Sequence, residues 1–130
     1  MKKNIPILIA GIVMALTTLL HLTGGQYDHV VPLLASNLEP TDKVVLLGVW
    51  HMVSVTLMLM AYWLLKYGLK PIANQTSAMR LMAWLNLLFA FVFIAVSIAR
   101  LTFAPQWILF LPIGMLIVVG LKKQSKHVGI

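Results

Sequence analysis

"VVLLGVWHMVSVTLMLMAYWLL", residues 44–65, contains no charged residue, and its most polar side chain is His51. The run matches the ~20 residues that cross a ~30 Å hydrocarbon core. An open strand or bare coil in lipid would leave backbone groups unpaired, so the run reads as a helix. Three further apolar runs have comparable character: residues 5–22, 79–101 and 107–121. Across 130 residues, 61% hydrophobic and only 10% charged side chains leave too few polar groups to cover a soluble globule. The expected fold class is therefore all-α, an integral-membrane four-helix bundle with spans running up-down-up-down. A single transmembrane domain covers residues 1–130, with no internal repeat or low-complexity segment.

Charge placement predicts orientation. Lys2, Lys3, Lys66, Lys70, Arg80, Lys122, Lys123 and Lys126 fall at the termini or in the middle link, which share one side if four helices span the bilayer. By the positive-inside rule that side is cytoplasmic, so a multi-pass protein with both termini in the cytoplasm is expected. All three acids, Asp28, Glu39 and Asp42, fall in the first outer link. The +7 net charge thus reads as topology and attraction to the lipid bilayer. It does not read as nucleic-acid binding, because the basic residues flank spans and form no interleaved aromatic and basic patch. Lys2 and Lys3 ahead of an apolar run also fit a secretory signal, but no A-x-A-like site follows Leu20, and a retained helix is expected. With no cysteine, disulfide and thiolate chemistry are excluded.

The links differ in a useful way. In "KYGLKPIANQTSAMR", residues 66–80, Gly68 and Pro71 read as helix breakers and Thr76 or Ser77 as the cap of the third span. "TFAPQW", residues 102–107, is short enough to force spans three and four to be antiparallel neighbours, with Pro105 at a first helical position and Pro112 kinking the fourth span. "TGGQYDHVVPLLASNLEPTD", residues 23–42, is too long for a plain hairpin. Its apolar content predicts a short interfacial helix or lid in the first outer loop.

Small and weakly polar residues recur at helical spacing: Gly11, Met14, Thr18, His21 and Gly25; His51, Ser54, Met58 and Ala61; Ala83, Asn86, Ala90, Phe93, Ser97 and Arg100; Gln106, Phe110, Ile113, Ile117 and Gly120. Such stripes mark where membrane helices pack, so all four are expected to face a common interior. His21, His51, Ser54, Arg100, Gln106 and Trp107 then meet at the outer end, below Asp28 and His29. Trp50, Trp63, Trp84 and Trp107 fit an interfacial aromatic belt.

This outer-leaflet polar cluster has several readings. Polar side chains in a membrane interior commonly tie helices together, which makes the cluster structural or a surface for a partner membrane protein or a second copy. A ligand site would draw on His21, His29, Trp50, His51, Ser54, Arg100, Gln106 and Trp107. Its occupant would be an amphiphile, quinone or lipid. His21 and His51 are the candidate ligands for a metal or haem, with His29 as a third, although no cofactor is the simpler expectation. A small dimeric transporter is a further alternative: four spans in this length are similar to small multidrug transporters, but the membrane glutamate of that family has no counterpart here.

"VWHM", residues 49–52, and "LPIG", residues 111–114, place a histidine early in the second span and a Pro-Gly stretch in the fourth. In this layout the chain resembles small four-span inner-membrane proteins of bacteria to which no activity is assigned. The resemblance implies localisation and fold, and it carries over no catalytic residue. Paired buried carboxylates, a phosphate loop and a nucleophile with an oriented base are all missing from the sequence, so no enzyme is expected. The functional expectation is an accessory or interaction protein that holds a small ligand at its outer cluster.

Overall fold

The computed structural model describes residues 3–71 and 75–128; Lys2, used above for orientation, and residues 72–74 of the basic link lie outside them. The described elements are α1 (Ile5–Gly25), a π turn (Gln26–Val30), α2 (Val31–Ala35), α3 (Pro40–Leu69), α4 (Thr76–Arg100) and α5 (Trp107–Val128). Four helical stretches are long and apolar enough to cross a membrane: Ile5–Ala35, Pro40–Leu69, Thr76–Arg100 and Trp107–Ser125. The first and second extend well beyond the apolar runs from which they were expected. At ~1.5 Å per residue each reaches about 45 Å, some 15 Å more than a hydrocarbon core.

Residues 23–35 explain much of that extra length. Gly24 and Gly25 do not end the first helix; the backbone continues through the π turn into α2. Only Ser36–Glu39 separate it from α3, which starts with Pro40 at a position where a missing N–H costs nothing. Asp42 in the first turn suits the positive end of the helix dipole. The Lys43 Nζ donates to the Leu34 carbonyl at 2.9 Å and ties α2 to the start of α3.

α1 is central to the packing. It touches both α3 and α5, and α4 packs on α5. Close approach of α1 and α3 depends on two glycines. A Cβ on Gly11 would lie 2.8 Å from the Leu65 nitrogen, and one on Gly68 would lie 2.6 Å from the backbone of Leu8. Gly68 is therefore a packing position inside α3, not the breaker that its residue type suggests; the helix runs on to Leu69, with Lys70 as its C-cap.

Asn4 closes one end of the bundle. Its side chain caps α1 by accepting from the Ile7 N–H at 3.4 Å, and its Nδ2 donates to the Gly120 carbonyl at 2.9 Å. Its own N–H donates to the Gly68 carbonyl at 2.8 Å. One buried residue thus joins α1, α3 and α5. Beside it, Ile7, Leu64, Tyr67, Met79 and Ile117 are completely covered, and the Tyr67 hydroxyl donates to Gln124 at 3.0 Å. In the middle of the bundle the fully buried Asn86 donates to the Met82 carbonyl at 2.8 Å and reaches the Met60 sulfur at 3.9 Å.

The α4–α5 link is held by Ser97. Its Oγ donates to the Phe93 carbonyl at 2.7 Å and accepts from the Ala104 N–H at 3.1 Å. Leu101 ends α4 in the left-handed region, at φ 50°. Two expectations about helix starts are corrected. Pro105 lies in a turn before α5, whose first residue is Trp107. Thr76 and Ser77 are inside α4; the N-cap is Gln75, whose side chain makes no capping bond.

Candidate functional site

The end of the molecule that carries the three acids also gathers aromatic and imidazole rings. His21 comes from the last turns of α1, His29 from the π turn, and Trp50 and Ser54 from α3. The His21 imidazole stacks on the Trp50 indole with centroids 4.0 Å apart and planes 18° from parallel. His29 meets the same indole edge-on at 5.5 Å. The Ser54 Oγ is 3.1 Å from His21 Nε2 and also donates to the Trp50 carbonyl at 3.1 Å. A hydroxyl has one hydrogen, so with that hydrogen on the carbonyl, Oγ accepts from the Nε2–H.

This arrangement depends on Gly25. A Cβ there would sit 2.5 Å from two indole carbons of Trp50, so the glycine makes the seat into which the ring fits. Gly25 appears in the sequence only as a member of the α1 stripe. Its matching with a tryptophan requires knowing which residue of α3 lies opposite.

His51 is placed differently from the expectation. The buried side of α3 runs through Ser54, Leu57, Ala61, Leu64 and Gly68, and continues upward through half-buried Trp50. His51 and Met58 are exposed. Spacing alone admits either residue 50 or residue 51 above Ser54, since both three and four steps return to a similar face. The indole takes the inward place because Gly25 leaves room for it. His51 is turned out from the bundle, and it makes no hydrogen bond, ion pair or ring contact among the described residues.

The remaining candidates lie on α4, α5 and the link between them. Arg100 is exposed at the end of α4. Gln106 is half-buried with its Oε1 covered and unpartnered, and Trp107 packs against the core. Among the described residues no hydrogen bond or ring contact joins these three to the His21 group. The single cluster expected from the four stripes is thus resolved into an assembled part, His21, His29, Trp50 and Ser54, and outlying residues, His51, Arg100, Gln106 and Trp107.

Chemically, the assembled part carries no carboxylate, and among the described residues one side-chain hydrogen bond, Ser54 Oγ with His21 Nε2, joins its two helices. Among the described residues no group of three or more His, Cys, Asp or Glu side chains is positioned to hold a metal ion. For His21 and His51 to ligate together, Ser54 would have to release Nε2 or the metal would have to take Nδ1, and His51 would have to turn inward. The geometry instead suits stiffening of the α1–α3 contact and display of one imidazole beside it. Compared with protein-family models, with curated proteins and with solved structures, the chain matches none, and its functional reading therefore rests on its own residues.

Proposed function

We propose that this chain is an accessory protein of the bacterial inner membrane that engages another membrane component through the exposed face of α3 around His51. In this reading successive spans cross in opposite directions, both termini are cytoplasmic, and α2 lies at the outer interface. The uneven distribution of lysine and arginine supports that orientation.

The observation that carries the proposal is the exposure of His51 within an apolar helix. Counted from Val44, the residue lies about 10 Å along the run, at a depth where water is scarce. Its surroundings on α3 are apolar, with Met52 70% and Val55 52% exposed. An imidazole without a partner in hydrocarbon is costly, which is why ionisable groups in spans pair with something or mark a functional site. Among the described residues none supplies a hydrogen bond to it, and a partner helix or the polar end of an amphiphile would.

A photo-crosslinking residue at position 51, with the full chain in its native membrane, tests this. The expected result is a protein adduct of discrete mass at position 51 that is missing when the same group replaces exposed Leu59. Adducts identical at the two positions would sink the reading. A lipid-sized adduct specific to position 51 would select the amphiphile over the protein partner.

A further inference from the structure

At the end opposite the acids, α4 and α5 enclose a groove of about 730 Å³. This lies within the ~300–1,000 Å³ range of small-molecule sites. Its floor is where the helices meet: a Cβ on Gly114 would stand 2.8 Å from the Leu87 side chain and 3.2 Å from the Ala83 carbonyl oxygen. From there to the helix ends the walls change character. Ala83, Trp84, Leu87, Val118 and Leu121 line the deeper part, and Arg80 and Lys122 line the outer part with the hydroxyls of Thr76 and Ser125.

Both helices contribute the same gradient in opposite chain directions. On α4, Thr76 and Arg80 precede Trp84 and Leu87; on α5, Val118 and Leu121 precede Lys122 and Ser125. The groove is thus cationic where it reaches the interface and apolar for the ~10 Å that separate Arg80 from Leu87 along their helix. Among the described residues neither the Arg80 guanidinium nor the Lys122 ammonium has a hydrogen bond or ion pair. The acidic side chains, Asp28, Glu39 and Asp42, lie in and beside the 26–39 segment, toward the other end of the bundle.

We infer that this groove binds one anionic glycerophospholipid, with the phosphate between Arg80 and Lys122 and an acyl chain along Trp84, Leu87, Val118 and Leu121. Arginine offers a planar fork suited to phosphate oxygens, and lysine adds a point charge. A soluble anion would use the charges and leave the apolar wall in contact with bulk lipid. A neutral lipid would use the wall and leave the charges unpaired. Only an anionic amphiphile matches both parts. The inference is independent of the role given to His51.

The test is native mass spectrometry of the full chain from micelles containing equal amounts of phosphatidylglycerol and phosphatidylcholine. One phosphatidylglycerol should be retained preferentially, and the Arg80→Gln, Lys122→Gln double variant should lower that retention about thirtyfold, the scale set by two interfacial cations. Leu121→Trp, which fills the apolar half and keeps both charges, should also lower it. Lys66→Gln with Lys70→Gln removes two charges from the same end but outside the groove, and should leave retention unchanged. Inorganic phosphate at millimolar concentration should not compete. Equal retention of the two lipids would overturn the inference, as would an equal loss in the Lys66, Lys70 variant. Displacement by inorganic phosphate would show an anion site without an acyl subsite.

Discussion

Trp50 shows how much one side chain can decide. Its indole fills the space above Gly25, stacks on His21 at 4.0 Å and receives His29 at its edge. Trp50→Ala should therefore cost about 3 kcal/mol, near the low end for truncating a packed aromatic, since the residue is only half-buried. Gly25→Val should cost a similar amount by driving a Cβ into the ring. The two changes made together should cost clearly less than their sum, because the valine then occupies the space the indole has left. Thermal melting of the detergent-solubilised single and double variants measures all three, and strict additivity would show that the two residues do not share a seat. Read from the sequence, His51 belongs to the inward stripe and Trp50 to the interfacial belt; the structure exchanges the two places. Periodicity defines a face about 100° wide, and the side chain placed at its centre depends on what the opposite helix leaves open.

At the scale of the helices, glycine and proline carry most of what the sequence could and could not reveal. Four membrane-length helices follow from four apolar runs, and the stripes through Gly11, Met14 and Thr18 and through Ala83, Asn86 and Ala90 are buried as their spacing implies. Helix ends were less legible. Gly68 and Gly25 have the residue type of a terminus, yet both lie where another helix comes too close for a Cβ. Intrinsic propensity argues for a stop, and tertiary contact overrides it. The real terminus at Leu101 has no such signal: a leucine in the left-handed region, 94% exposed, donates its N–H back to the Ile98 carbonyl at 3.2 Å. That conformation costs a non-glycine residue roughly 1–2 kcal/mol. Leu101→Gly should relieve the strain and lose part of the gain to greater freedom of the unfolded chain, for a net stabilisation of about 0.5 kcal/mol. A rise in melting temperature in mild detergent is the expected outcome; a fall would mean that the exposed leucine packs on lipid more than its backbone is strained.

For the whole molecule, four helices long and apolar enough to cross a membrane were legible from composition, since burial and exposure can both be apolar when the solvent is hydrocarbon. The groove beside Trp84 was not, because Arg80 and Lys122 lie far apart in sequence and serve equally well as markers of orientation. That orientation has a direct test in a chain without cysteine. A single cysteine at Asn37 should react with an impermeant maleimide added outside intact spheroplasts, and one at Ser125 only after the membrane is opened. The opposite pattern would reverse the assignment of both ends. The Asn4 contacts have a consequence for biogenesis. Because α1 is synthesised before α5 and the Asn4 Nδ2 partner belongs to Gly120, the amide exchanges its earlier surroundings for the Gly120 carbonyl only after α5 has been made. Closure of that seam therefore follows the arrival of α5, and a chain cut short before Gly120 lacks the acceptor that ties Asn4 to it.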